Sequence, residues 1–135
     1  MSILIDTQVF LWAGSVEKRI SPAAAALLQD SDVPVFLSTV SAWEISIKWA
    51  KRRLDLPIHP YDFVRRTMDA GGISQLTVTL VDACSVADLP PHHKDPFDRL
   101  LVAQARNNGL RLMTSDATLE QYDVDVIALW LDDDE

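Results

Sequence analysis

The chain has 135 residues, 48% of them hydrophobic, with twenty Asp and Glu against twelve Lys and Arg. That length suits one domain with a substantial core, and the apolar fraction excludes a disordered chain. The longest uncharged run, Ala70 to Val81, has twelve residues, against the ~20 apolar residues of a membrane span. One cysteine, Cys84, excludes an intrachain disulfide framework; it reads as a small core residue in a reducing compartment. The start of the chain lacks a basic segment, and Asp6 interrupts its apolar run, so it does not read as a signal peptide. A cytoplasmic location without membrane association is expected. The net charge of −8 disfavours a phosphate-rich partner at first sight. Seven of the acids lie within residues 120–135, however, which hold no base, while residues 1–119 hold thirteen acids and twelve bases. Residues 132–135 read as a solvated acidic tail after a domain spanning 1–131.

In chain order, Ile3–Ile5 is a short apolar run ending at Asp6, and Thr7–Ala13 is helical up to Gly14. Ser21-Pro22 opens a helix to about Asp30, with Ser as N-cap and Pro in the first turn. Val33–Thr39 is β-branched and reads as a buried strand, followed by a strong helix over Ser41–Arg53. Pro57 and Pro60 break that pattern, and Tyr61–Ala70 forms a helix ending at Gly71-Gly72. Leu76–Leu80 reads as a strand and Asp82–Leu89 as a short helix closed by Pro90-Pro91. Asp95–Asn108 is a helix stopped by Gly109. Leu110–Ser115 is a strand, Ala117–Tyr122 a short helix and Val124–Leu129 a last strand. Strands that are continuously apolar, separated by helices, predict an α/β fold with a mostly parallel sheet covered on both faces. In such sheets ligands bind beyond the carboxyl ends of the strands.

No G-x-G-x-x-G or Walker A loop, no H-E-x-x-H, no C-x-x-C and no G-x-S-x-G is present. Four acids instead sit at strand-to-helix junctions: Asp6, Glu44, Asp98 and Asp116. Each has an ordinary local explanation. Asp6 and Asp116 fit N-caps, Ser41 and Glu44 fit a capping box, and Asp98 suits a helix start capped by Asp95. A parallel sheet nevertheless brings Asp6, Glu44 and Asp116 to one edge, and Asp98 joins them if its helix begins there. Carboxylates gathered in that way repel unless a cation intervenes. Mg²⁺ or Mn²⁺ suits such oxygen ligands and supports a metal-dependent nuclease.

The same residues resemble the PIN domain, specifically the VapC-type toxin ribonucleases of type II toxin–antitoxin pairs. The resemblance is carried by Ile3-Leu4-Ile5-Asp6-Thr7, by Ser41-Ala42-Trp43-Glu44-Ile45-Ser46-Ile47-Lys48, by His92–Leu101 containing Asp95-Pro96-Phe97-Asp98, and by Thr114-Ser115-Asp116. It implies a PIN-like, Rossmann-like sheet of about five strands. It also implies Asp6, Glu44, Asp98 and Asp116 as catalytic ligands of Mg²⁺ (or Mn²⁺), with metal-activated water hydrolysing RNA. A cognate antitoxin protein and a homodimer follow from the family, not from the residues. The chain departs from the resemblance at Lys51-Arg52-Arg53-Leu54, where many relatives carry a glycine, and in its Asp-rich end.

Thr114 is read as supporting the acids, with Thr7 a weaker candidate. Lys48 either pairs with Glu44 four residues before it or holds a scissile phosphate. Lys51, Arg52 and Arg53 either cap a solvated helix end or track an RNA backbone. Arg99 either pairs with an acid or meets RNA. Asp95 is read as an N-cap, while His92 and His93 stay unassigned. Trp12, Trp43, Trp49 and Trp130 are read as core or interface residues, Trp12 and Trp49 also as part of an apolar surface for an antitoxin peptide. The competing reading is a catalytically silent module whose acidic pocket binds a basic peptide or an ion. A phosphoacceptor receiver domain fits less well, since it wants paired acids after the first strand.

Overall fold

The computed structural model describes residues 1–15 and 19–129. Trp130 and the acidic tail of residues 132–135 lie outside the described residues. Among the described residues, five strands form one parallel sheet in the order β3-β2-β1-β4-β5. They are β1 (Ile3–Ile5), β2 (Val35–Ser38), β3 (Ser74–Leu76), β4 (Arg111–Thr114) and β5 (Val126–Ala128). Connecting them are α1 (Thr7–Ala13), α2 (Pro22–Gln29), α3 (Thr39–Ala50), α4 (Pro60–Gly71), α5 (Leu80–Ser85) and α6 (Pro96–Asn108). Single turns of 3₁₀ helix follow at Val86–Asp88 and Ala117–Gln121. Among the described residues, no helix is long and apolar enough to cross a membrane.

Strand β1 is central, with Ile3 in register with Val35 on one side and Arg111 on the other. Its alternation explains why it reads as a solid apolar run. Ile3 and Ile5 join one core with Val9, Phe10, Leu37 and Met113, while Leu4 joins a second core with Leu101, Val102 and Leu112. Both faces of the strand are therefore covered, as a sheet with helices on either side requires. The edge strand β3 is the reverse case: Ser74 and Gln75 are exposed and only Leu76 is partly buried.

Helix starts are fixed by short polar side chains. Asp6 Oδ1 accepts from Val9 N at 2.8 Å, Ser21 Oγ from Ala24 N at 3.3 Å, and Asp95 Oδ1 from Phe97 N at 2.9 Å. Gly109 closes α6 with φ of 63° in the left-handed region that favours glycine. Gly14 ends α1 where a Cβ would come within 2.9 Å of the Thr67 side chain, so the close approach of α1 to α4 requires its hydrogen.

Three expectations shift. The strand read at Leu76–Leu80 is β3 at Ser74–Leu76, because Thr79 and Asp82 form a reciprocal capping box that starts α5 at Leu80. Helix α3 begins at Thr39 rather than Ser41, capped by Ser38 Oγ accepting from Val40 N at 3.1 Å. The Ser41–Glu44 capping box is therefore not formed, and both side chains are turned to other partners. Cys84 is exposed, not a core residue, since the six-residue α5 lies at the surface with Leu80 and Val81 also uncovered.

Candidate active site

The parallel strands run into α1, α3 and the turn at Asp116 along one edge of the sheet, and α6 begins beside them. Asp6, Glu44, Asp98 and Asp116 line one polar pocket of about 220 Å³, together with Asp95 and Lys48. A larger hollow of about 290 Å³ between α3 and α4 is lined by Trp43, Tyr61 and Met68 and contains none of these acids. The polar pocket is the candidate site because the chemistry-bearing groups converge there, whatever its size.

Asp6 follows β1 directly and is buried. Its Oδ1 caps α1, and its Oδ2 accepts from Thr114 Oγ1 at 2.6 Å. Thr114 Oγ1 in turn accepts from Asp116 N at 3.0 Å, so one hydroxyl at the end of β4 ties two of the acids together. Burial pushes the Asp6 carboxyl up to about 6; the Thr114 and backbone hydrogen bonds oppose that shift, and the Glu44 charge adds to it. Asp98, in the first turn of α6, is pushed up to about 7 by burial first, then by the charges of Asp95 and Asp6. Asp116 behaves oppositely. Burial again favours its neutral form, but the His93 hydrogen bond and those from Thr118 outweigh it and hold the carboxyl below its ordinary value.

Glu44 is nearly buried and is held from two sides. Thr7 Oγ1 donates to its Oε1 at 2.7 Å and lies 2.9 Å from Ser41 Oγ. Lys48 Nζ meets its Oε2 at 2.5 Å, with the lysine side chain 47% exposed. The i,i+4 pair expected as one option for Lys48 is thus formed, at the pocket wall. Thr7, the weaker candidate from sequence, thus holds an acid as directly as Thr114 does.

His93, unassigned from sequence, stands against two of the site's acids. Its Nε2 lies 2.7 Å from Asp116 Oδ2 and 3.4 Å from Asp98 Oδ2. His93, Asp98 and Asp116 bring one ligand-type atom each within 4.8 Å of one another. Asp6 and Glu44 line the same pocket outside that tight group. The neighbouring His92 instead packs edge-on against Tyr122. Arg99 turns away from the acids to the carbonyls of the segment before α6, so the pairing with an acid offered from sequence is not formed. Trp43 is 61% exposed and rests edge-on against Phe97 at 5.4 Å, so the core reading fails for it. Trp49 is also partly exposed, beside His59, while Trp12 packs against the core at the end of α1.

A hard divalent cation fits this donor set. The ligand atoms are mostly carboxylate oxygens, and two of the carboxyls hold protons unusually strongly, through burial first and neighbouring acids second. Fold and site together define an α/β protein of the kind that gathers acids at the carboxyl edge of a parallel sheet. The PIN domain family matches residues 3–125, and the chain belongs to that family. It is homologous to the VapC-type toxins of type II toxin–antitoxin systems. Ribonuclease VapC22 of Mycobacterium tuberculosis is 26% identical over 122 residues, covering 90% of this chain and 92% of the relative. A chain in the crystal structure of VapBC2 from Rickettsia felis, bound to a DNA fragment from its promoter, superposes with a TM-score of 0.69. It has 11% identity and covers 95% of this chain and 98% of that one. A toxin–antitoxin complex from Klebsiella pneumoniae gives a TM-score of 0.63 at 20% identity, covering 93% and 96%.

Proposed function

We propose that the protein is a Mg²⁺- or Mn²⁺-dependent endoribonuclease toxin, with Asp6, Glu44, Asp98 and Asp116 as the cation-holding and catalytic acids. The observation that carries this reading is the convergence of four acids from four separate elements on one pocket at the carboxyl edge of the sheet. A divalent cation bound there supplies Lewis acidity toward a phosphoryl oxygen and lowers the pKa of water at the site. The protein's own part is to fix its carboxylates in advance. Thr114 orients Asp6, Thr7 orients Glu44, and the backbone N–H groups of Val9 and Thr118 hold Asp6 and Asp116. Lys48, half exposed at the wall, offers an ammonium to a substrate phosphate while balancing Glu44.

The kinship with chains crystallised in toxin–antitoxin complexes supports a cognate antitoxin as the partner. A homodimer belongs to the same proposal, and sedimentation of the free protein reads it directly. The decisive experiment maps RNA 5′ ends after expression of the wild type and of Asp6→Asn. Cleavage present in the wild type, absent in the variant and abolished by EDTA is the expected outcome. Undiminished cleavage in EDTA overturns the cation-dependent mechanism.

A further inference from the structure

His93 is held in a single orientation from several directions. Its ring Nδ1 accepts the backbone N–H of Asp95 at 2.9 Å. A backbone N–H can only donate, so Nδ1 carries the lone pair and Nε2 carries the hydrogen. That hydrogen faces Asp116 Oδ2 across 2.7 Å. An N–H nitrogen has no lone pair left for a cation, so the ring presents a donor to the pocket, not a ligand.

The backbone around His93 is fixed as firmly. Its own N–H donates to the Tyr122 hydroxyl oxygen at 2.9 Å, and Tyr122 is buried. Arg99 Nη1 donates to the same oxygen at 3.3 Å and to the carbonyls of Pro90 at 3.0 Å and His93 at 3.4 Å. Its Nη2 donates to the carbonyls of Val86 at 3.2 Å and Leu89 at 3.4 Å. The segment from Val86 to His93 has only one turn of 3₁₀ helix; the Val86 and Pro90 carbonyls accept the N–H groups of Leu89 and His92, and the guanidinium adds a second donor to each while also reaching the carbonyls of Leu89 and His93.

We infer that His93 is a positioning residue for Asp116 and not a cation ligand, and that Arg99 and Tyr122 hold it there. The functional meaning rests on the cation-site reading above. Asp116 then has each oxygen oriented, Oδ1 by the Thr118 N–H and Oδ2 by the imidazole, with lone pairs to spare on both. Partners of this kind contribute about 10- to 100-fold to cation affinity where they have been removed from other sites.

The test has two readouts. Long-range proton–nitrogen NMR of the imidazoles, at a pH where they are neutral, reads the tautomer in the metal-free protein and again with Mg²⁺ added. The Nε2–H form of His93, kept on adding Mg²⁺, is expected. An Nδ1–H form, or loss of the Nε2 hydrogen on adding Mg²⁺, overturns the inference. Mn²⁺ affinity, read by electron paramagnetic resonance, is the second readout. His93→Gln, which keeps an N–H near the Nε2 position, should stay within about threefold of wild type, whereas His93→Ala should lose about tenfold. Equal losses in both variants favour a ligand role and overturn the proposal. Tyr122→Phe should lose Mn²⁺ affinity with its denaturation midpoint little changed; unchanged affinity and tautomer there remove Tyr122 from the clamp. Arg99→Lys, which cannot reach both sets of carbonyls, should lose affinity as well, and full retention removes Arg99. A wild type that binds no Mn²⁺ and cleaves no RNA sinks the nuclease reading, while the metal-free tautomer still decides how His93 is held.

Discussion

Asp6 and Asp98 hold their protons to about 6 and about 7 because they are buried near other acids. The sign of the resulting pH dependence is fixed. Below the ordinary value of 3.8, folded and unfolded chains are both protonated at these positions, and neither residue contributes. Between 3.8 and the folded values, the folded chain keeps protons that the unfolded chain has released, so stability falls as pH rises through that window. In metal-free protein at neutral pH, Asp6→Asn or Asp98→Asn should therefore raise stability, by on the order of 2 kcal/mol each, while RNA cleavage is lost. Urea titrations at pH 4 and pH 7.5 measure this: the gain should be seen at the higher pH and vanish near the lower. Thr114→Val should act in the opposite direction on the fold. It removes the donor that holds Asp6 down and leaves Asp116 N without its acceptor, in a fully buried place. A cost of roughly 1–3 kcal/mol and a further rise in the Asp6 pKa, followed by carboxyl NMR, are expected.

At the scale of elements, α5 depends on its start. Thr79 Oγ1 accepts from Asp82 N at 3.1 Å, and Asp82 Oδ2 accepts from Thr79 N at 3.0 Å. Asp82 also binds Asn107 Nδ2 of α6 at 3.0 Å, which ties the two helices. Burial alone would raise its pKa, but these bonds hold it below the ordinary value, so its contribution is present above pH about 4 and fades on acidification. Thr79→Ala should cost about 1 kcal/mol, read as a lower urea midpoint at neutral pH. The T-x-x-D pattern was there to be read, yet the β-branched run around it pointed to a strand. Tertiary pairing decided the matter, since Phe36–Ser38 offer an edge only to Ser74–Leu76. Helix α3 shows the same competition. Ser38 and Ser41 are both plausible caps; Ser38 takes the role, and within the helix Ser41 and Glu44 meet Thr7 of α1 instead. The acids at strand ends were legible because a parallel sheet sends every carboxyl end to one edge. His93 was not, because its partners Asp116 and Tyr122 lie 23 and 29 residues away and no local pattern links them.

For the whole molecule, the gathered acids repel one another, and the proposed cation would relieve that repulsion. Mg²⁺ should raise the denaturation midpoint of the wild type at pH 7.5, and by more than it does at pH 5, where protons already neutralise part of the site. Asp98→Asn should blunt that rise. Equal midpoints with and without millimolar Mg²⁺ would count against the site as a cation holder. The acidity of the sequence reads differently in this light. Much of it lies in residues 120–135, and four of the remaining acids converge on the pocket, so the net −8 does not count against the proposed RNA substrate.

The central strand has one more consequence, for the order of events during synthesis. Residues 3–5 form the middle of the sheet, yet their second neighbour is β4, and Asp6 waits for a hydroxyl 108 residues further along. Loop closure of that length is slow, and a ribosome adds only about 5–20 residues each second. A nascent chain that has already exposed Asp6, Glu44 and Asp98 therefore still lacks β4, Thr114 and Asp116. The pocket of acids is completed last among these elements, so a chain halted before residue 114 should lack both the fourth acid and the hydroxyl that orients Asp6.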